Sequence, residues 1–280
     1  MGILNITPDS FSGDGLYQAE GANVSDNITN LINGVMAVAE KFVEAGVDIL
    51  DIGGESTRPG AKQLDSETEL ERVIPVVEAL AKEFSVPLSI DTYKHQVAEA
   101  AINSGAVLVN DVWGFKADNQ MPSTIANKRA AVILMHNRSS WAHADIKDNL
   151  GGRYIGIPYD NLIEDIKFEL MESVDLAHAA GIQDEMIILD PGIGFGKTVE
   201  QNLELVNRMG EIRDLGYPIL YGPSRKSFIG YTLDQPPDRR LAGTAASIAV
   251  GIIRGADIIR VHDVEFMGQV ARMTDAIVRD

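Results

Sequence analysis

The chain has 280 residues, 45% of them hydrophobic and 23% charged, which is enough apolar mass for one sizeable core. Its 24 basic residues against 41 acidic ones give a net charge of −17; this excludes a general nucleic-acid or anionic-membrane binder, because both need a basic face, but leaves room for a small anion in a local basic pocket. The absence of cysteine removes disulfides, thiolate nucleophiles and zinc–thiolate or iron–sulfur sites.

No apolar run approaches the roughly 18 residues that span a bilayer. Met1-Gly2-Ile3-Leu4-Asn5 has neither the basic nor the apolar region of a secretory signal, so a cytoplasmic protein is the expectation.

In chain order, eight short apolar runs read as buried parallel strands: Gly2–Ile6, Val47–Ile52, Pro87–Ile90, Val107–Val109, Ala131–Met135, Met186–Leu189, Pro218–Tyr221 and Asp257–Val261. Helical period fills the spaces between several of them. Val35, Val38, Ala39, Phe42 and Val43 form one stripe, and Leu70, Val73, Ile74, Val77, Leu80 and Ala81 a second. Phe266, Val270, Met273 and Ile277 form the last. Helix stops fall at Gly46, Gly105, Gly181, Gly216 and Gly255, each just ahead of a strand. Gly151–Pro158 reads as a loop, and the acidic run Asp65–Glu71 as a solvated first helical turn. Eight units of about 35 residues each predict a single (β/α)8 TIM barrel spanning residues 1–280. An open doubly wound sheet is the rival, and no G-x-G-x-x-G turn supports it.

Active sites of such barrels lie at the C-terminal ends of the strands, and polar residues collect there. The first strand ends in Asn5-Ile6-Thr7-Pro8-Asp9-Ser10-Phe11, the second in Asp51-Ile52-Gly53-Gly54-Glu55-Ser56-Thr57-Arg58-Pro59-Gly60, and the third in Asp91. The fourth ends in Asn110, the fifth in Met135-His136, and the sixth in Asp190-Pro191-Gly192-Ile193-Gly194-Phe195. The seventh leads into Gly222-Pro223-Ser224-Arg225-Lys226-Ser227 and the eighth ends in Arg260-Val261-His262-Asp263. Each residue alone has a plainer use. A lone Asp is most often a helix N-cap, a lone His a hydrogen-bonded loop residue, and a glycine a turn. Their co-occurrence carries the reading, because so many polar groups at one end of eight apolar strands are costly to bury without partners.

Two sub-pockets follow. Asp91, Asn110, Asp190 and Lys226 suit a flat, nitrogen-rich heterocycle with an N–H edge, since a carboxylate accepts two parallel N–H bonds. Arg260, His262, Asn5, Thr57 and Arg58 suit a phosphate or diphosphate, with Mg2+ as a possible companion ion. The glycine-rich loops after the first two strands read as a mobile lid.

Together these segments resemble the dihydropteroate synthase family nearly end to end. Asn5–Phe11 and Asp51–Gly60 are similar to its first two signatures, and Asp190–Phe195, Ser224–Ser227 and Arg260–His262 to its later ones. The resemblance implies condensation of 6-hydroxymethyl-7,8-dihydropterin diphosphate with 4-aminobenzoate, giving 7,8-dihydropteroate and diphosphate in folate biosynthesis. It implies a pterin pocket of Asp91, Asn110, Met135, Asp190, Gly222, Lys226 and Arg260. Asn5 would ligate Mg2+, and Asn5, Thr57, Arg58, Arg260 and His262 would take the diphosphate. Phe11, Thr57, Pro59, Phe195, Lys226 and Ser227 would surround the aminobenzoate. The implied catalytic set is Asp91, Asp190, Lys226, Arg260 and His262, with an SN1-like course in which diphosphate leaves before the amine attacks. A homodimer is also implied, with Leu241–Ile253 and Phe266–Ile277 as candidate interface helices. A pterin-dependent methyltransferase domain and a non-catalytic pterin-binding protein stay open as alternatives.

Overall fold

The computed structural model describes residues 1–6, 24–56, 63–139, 144–147, 150–154 and 158–279. Its strands are β1 (Gly2–Asn5), β2 (Leu50–Gly53), β3 (Leu88–Asp91), β4 (Leu108–Asp111), β5 (Ala131–Met135), β6 (Ala144–Lys147), β7 (Gly151–Tyr154), β8 (Ile187–Asp190), β9 (Leu220–Tyr221) and β10 (Ile258–Ile259). Its helices are α1 (Val24–Glu44), α2 (Ser66–Glu83), α3 (His95–Asn103), α4 (Met121–Lys128), α5 (Leu162–Ala179), α6 (Val199–Asn207), α7 (Met209–Arg213), α8 (Ser227–Leu233), α9 (Leu241–Ile253) and α10 (Val264–Val278).

Strands β1, β2, β3, β4, β5 and β8 pair side by side, all parallel, and β9 pairs in parallel with β10. Single parallel bridges, Leu189 to Ile219 and Gly2 to Val261, join the two sets. Ile3 N–H donates to Val261 O at 3.0 Å, Val261 N–H to Met1 O at 3.0 Å, and Leu189 N–H to Pro218 O at 2.9 Å. Eight parallel strands therefore form a ring with helices outside, the TIM-barrel architecture read from the eight apolar runs. The five helix-stop glycines all adopt positive φ, from 80° at Gly46 to 118° at Gly105, a conformation that suits glycine at helix ends.

The core has two layers. One lies between the strands and the helices, where Val35, Ala39, Val73, Val77 and Leu80 pack against Ile52 and Ile90. The other plugs the barrel floor with Met1, Leu108, Ile133 and Leu220, flanked by Ile49, Ala131, Ile188 and Ile258. Residues two apart on a strand share a face. Two positions above the floor therefore come Asp51 over Ile49, Asn110 over Leu108 and Met135 over Ile133. Asp190 stands over Ile188, Gly222 over Leu220 and Arg260 over Ile258. The apolar plug thus carries a ring of polar groups at the mouth.

Three local expectations change. Gly151–Tyr154 is not loop but a strand, antiparallel to β6, with Asp145 opposite Arg153. Four-residue strands joined by a short turn leave little period to read, and the glycine pair masked this one. Arg240 ties the turn of this hairpin down, donating to Leu150 O at 2.7 Å and to Arg225 O at 2.9 Å. The Asp65–Glu71 run is only partly solvated. Asp65 caps α2 by accepting from Thr68 N–H at 2.7 Å, whereas Glu69 is buried and paired with Lys94. The last stripe faces outward: Phe266, Met273 and Ile277 are 46%, 63% and 70% exposed, and α10 turns Val264, Met267 and Thr274 to the core instead.

Candidate active site

The ends of β2, β3 and β10 meet at one guanidinium. Arg260 donates from Nε to Asp51 Oδ2 at 2.6 Å and from Nη2 to Asp91 Oδ2 at 2.6 Å. Burial works against the Arg260 charge, but Asp51 and Asp91 outweigh it and hold its pKa above the ordinary value. Asn110, on β4, donates from Nδ2 to Asp51 Oδ2 at 3.4 Å. Three acceptor oxygens at these strand ends, Oδ1 of Asp51, of Asp91 and of Asn110, are buried with no hydrogen-bond partner among the described residues. Native interiors rarely leave acceptors in that state, and N–H groups of a ligand would satisfy all three.

Asp190 closes the other side. Its Oδ1 accepts from Gly192 N–H at 2.7 Å, and burial raises its pKa against the opposing charge of Lys226. Lys226 Nζ donates to Ile193 O and sits 4.6 Å from the Phe195 ring centroid. Burial lowers the Lys226 pKa to about 8, and it raises that of Asp91 to about 7 although Arg260 pulls the other way. Met135 and Gly222 are buried beside these groups. A Cβ on Gly222 would meet Arg260 Cβ at 3.7 Å.

His262 follows Arg260 on the same face while Val261 enters the apolar layer. Its Nδ1 lies 3.0 Å from Ser224 Oγ, which also accepts from His262 N–H at 3.2 Å. The neighbouring Asp263 is paired with Arg225 instead of capping α10 through its side chain. Ser227, half-buried, opens α8. Asn5 ends β1, its Oδ1 beside Gly53; a Cβ there would sit 3.5 Å from Asn5 Oδ1 and 3.6 Å from Asp91 Cβ. Glycine at this position leaves open the space between Asn5 and Asp91.

The structure thus brings together Asn5, Asp91, Asn110, Met135, Asp190, Phe195, Gly222, Lys226, Ser227, Arg260 and His262. Phe11, Thr57, Arg58 and Pro59, and most of the two loops read as a lid, lie outside the described residues. Two groups went unassigned in the sequence. Asp51 is fully buried; a carboxylate between Leu50 and Ile52 in an apolar run was the available signal, since it must be paired. Lys197 is also buried, with Nζ bonded to Gly192 O at 2.9 Å and Phe195 O at 3.1 Å. It stands next to the glycine-rich turn, where a lysine reads as solvated.

A parallel barrel with an acid–amide edge and two cations at its mouth defines a class of ligand-binding enzyme. The chain belongs to the pterin binding enzyme family, whose sequence pattern matches residues 1–262. It is 47% identical over 280 residues to the dihydropteroate synthase of Clostridium beijerinckii, covering 100% of this chain and 94% of the relative. It is 43% identical over 278 residues to that of Bacillus subtilis, covering 99% and 88%. Among solved structures, the Clostridium difficile dihydropteroate synthase in the presence of pteroic acid superposes with a TM-score of 0.86 at 46% identity, covering 100% of this chain and 96% of that one. The Xanthomonas albilineans dihydropteroate synthase with 4-aminobenzoic acid gives 0.85 at 35% identity, covering 100% and 93%. A Yersinia pestis dihydropteroate synthase in complex with a sulfonamide drug gives 0.86 at 36%, covering 99% and 93%.

Proposed function

We propose that the barrel mouth joins 6-hydroxymethyl-7,8-dihydropterin diphosphate to 4-aminobenzoate, with Asp91, Asn110, Asp190 and Lys226 holding the pterin. The reaction is that of the dihydropteroate synthases, to which the full-length relatives belong: a transferase step of folate biosynthesis. The observation that carries the residue-level reading is the row of buried acceptors on β2, β3 and β4. A pterin edge offers ring and amino N–H groups of the kind that would satisfy them.

The remaining residues take their roles from position. Met135, Gly222 and Arg260 would line the ring and His262 would meet the leaving diphosphate; the family resemblance assigns Thr57 and Arg58 to the same group. Asn5 supplies a neutral, hard oxygen donor, and among the described residues no cluster of three His, Cys, Asp or Glu could hold a metal ion. That donor set fits Mg2+, which keeps several waters and is bound through few protein oxygens plus substrate phosphates. Its charge would offset the charge developing on diphosphate. Phe195, Lys226 and Ser227 would meet the aminobenzoate, and the family resemblance adds Phe11, Thr57 and Pro59 to them. The carbon–oxygen bond to diphosphate breaks first. Asp91 and Asp190 favour the positive charge then spread over the pterin, and the aryl amine nitrogen forms the new bond and gives up a proton.

A cytoplasmic homodimer, open to sulfonamides that mimic 4-aminobenzoate, completes the reading. The lack of cysteine, the lack among the described residues of any helix long and apolar enough to cross a membrane, and the exposed apolar face of α9 and α10 support it. Incubation with pterin diphosphate, 4-aminobenzoate and Mg2+ tests the reaction. Dihydropteroate and diphosphate should appear in equal amounts, and methyl transfer from a methylated pterin donor without diphosphate release would overturn it.

A further inference from the structure

Outside the residues assigned above, Lys197 carries a buried, heavily bonded charge beside the site. Its Nζ donates to Gly192 O at 2.9 Å and Phe195 O at 3.1 Å, and it lies 3.0 Å from His136 Nδ1. Burial lowers the Lys197 pKa to about 7 although Asp190 pulls the other way; in the ammonium form three N–H groups meet three acceptors, and none remains for substrate. Burial, with Lys197 adding to it, lowers the His136 pKa to about 3, so the imidazole is neutral and Nδ1 accepts. Its Nε2 lies 3.2 Å from Glu169 Oε2.

The ammonium shapes one turn. The two carbonyls it holds bracket Ile193, whose own carbonyl accepts from Lys226 Nζ. The same turn gives Gly192 N–H to Asp190 and the Phe195 ring to Lys226. The backbone does not choose this shape unaided: Gly192, Gly194 and Gly196 adopt φ of 71°, 82° and 61°, and glycines have many alternatives. A Cβ on Gly192 would come within 1.8 Å of His136 O. On the far side the stem of Lys197 is fixed, because Thr198 and Gln201 form a reciprocal capping box at the start of α6. Asn202 adds a bond from Gly194 N–H at 2.6 Å.

We propose that Lys197 is a positioning residue for the second substrate: by holding the Gly192 and Phe195 carbonyls it sets the Phe195 ring against which 4-aminobenzoate is aligned. The inference rests on the reading of the site given above. The pterin edge depends on it less, because Asp91, Asn110 and Asp190 stand on β3, β4 and β8 and Lys226 just ahead of α8, none of them on the turn.

Lys197→Met keeps the chain length and removes every donor. It should raise the KM for 4-aminobenzoate and lower kcat, each by about 10-fold, since small misplacements of aligned groups cost up to roughly 100-fold. Pterin diphosphate affinity, measured by fluorescence titration, should change by less than about 3-fold, in keeping with strand-borne contacts. Combined with Phe195→Ala, the losses in kcat/KM for 4-aminobenzoate should fall well short of multiplying, because both changes act on the same ring. If Lys197→Met melts below the assay temperature, Lys197→Gln, which keeps one amide donor, takes its place and should show the same split, smaller. Unchanged kinetics, equal loss for both substrates, or full multiplicativity with Phe195→Ala would overturn the role of Lys197 alone. Absence of dihydropteroate from the unaltered chain would instead overturn the reading of the site.

Discussion

Arg260 Nε lies 2.6 Å from Asp51 Oδ2 although 209 positions separate the two in the chain. The closing of the barrel brings them together, and the same guanidinium takes Asp91 through Nη2. Each carboxylate gives Arg260 one oxygen and keeps Oδ1 without a partner among the described residues. Arg260 is therefore first a brace, fixing where two acceptors point. Its removal by Arg260→Ala would strand two buried carboxylates. Breaking a buried pair in this way costs about 3–5 kcal/mol. The thermal midpoint should fall by several degrees at pH 8 and by less at pH 5, where Asp91 is protonated. A midpoint unchanged at both pH values would show that the pairing adds nothing to stability.

Asp190→Asn should separate binding from folding. The amide can still accept from Gly192 N–H, so the turn keeps its shape, but it offers one acceptor fewer and an NH2 that faces ligand donors. The loss of a charged hydrogen bond together with a mismatched donor is worth about 1.5–3 kcal/mol. Titration should show pterin diphosphate binding roughly 10- to 100-fold weaker, with the melting curve little changed. Affinity equal to that of the unaltered chain would remove Asp190 from the pterin edge.

The pH dependence follows from Asp91 and Lys226. Burial raises Asp91 from its ordinary 3.8 to about 7. Its protonated form therefore contributes stability that is complete below the ordinary value and is lost as the pH rises through 7. Between pH 5 and pH 8 the thermal midpoint of unliganded Asp91→Asn should therefore rise relative to that of the unaltered chain, because the variant lacks this titration. Ligand N–H groups need the ionised form, so pterin affinity should rise through pH 7. Lys226, lowered to about 8, loses its charge above that value, so kcat/KM for the pterin substrate should turn down again. A profile flat from pH 6 to 9 would contradict both assignments.

His262 addresses the leaving group. An electrostatic donor that strengthens in the transition state is worth about 2.7–4 kcal/mol in kcat. The effect of His262→Ala should be smaller because other cations remain, on the order of 10- to 100-fold in kcat, with pterin affinity almost constant. The contact of Nδ1 with Ser224 Oγ orients the ring, so Ser224→Ala should reproduce a fraction of the loss. If His262 only supports the start of α10, the thermal midpoint would drop and kcat of the folded protein would not.

The outward stripe of α10 gives a test of assembly. Phe266, Met273 and Ile277 are large, apolar and exposed, beside the exposed Val250 and Ile253 of α9. Introducing Met273→Glu with Ile277→Glu should leave the core intact and convert a dimer to a monomer in sedimentation. A dimer of unchanged mass would place the interface elsewhere, and a monomeric unaltered chain would overturn the proposed dimer.

The barrel was legible because each strand is a short, continuous apolar run, and its polar end marks the mouth. Asp91, Asn110, Asp190 and Arg260 could be named because they stand at those ends. Lys197 could not, because its partners are backbone carbonyls, which any sequence possesses. Asp51 escaped because its role comes from a residue brought beside it only when the ring closes. The stripe of α10 was legible as apolar and as an interface candidate, but not which way it faces. Period alone does not distinguish a face turned to the core from one turned to a partner, and here Val264 and Met267 form the inner face. The hairpin of β6 and β7 lies outside the repeating unit on which the count of eight rested.

The two-residue offset between floor and mouth has an evolutionary corollary. Insertion or deletion of one residue within a barrel strand would exchange the inward and outward faces of everything beyond it, sending Arg260 or Asp190 toward the helices and an aliphatic chain into the pocket. Substitution can tune this site gradually, one contact at a time, but length variation inside the strands is closed to it. Descendants of this chain should therefore differ in length only between the strands, so that the distance from Ile258 to Arg260, or from Ile188 to Asp190, is inherited as a fixed unit.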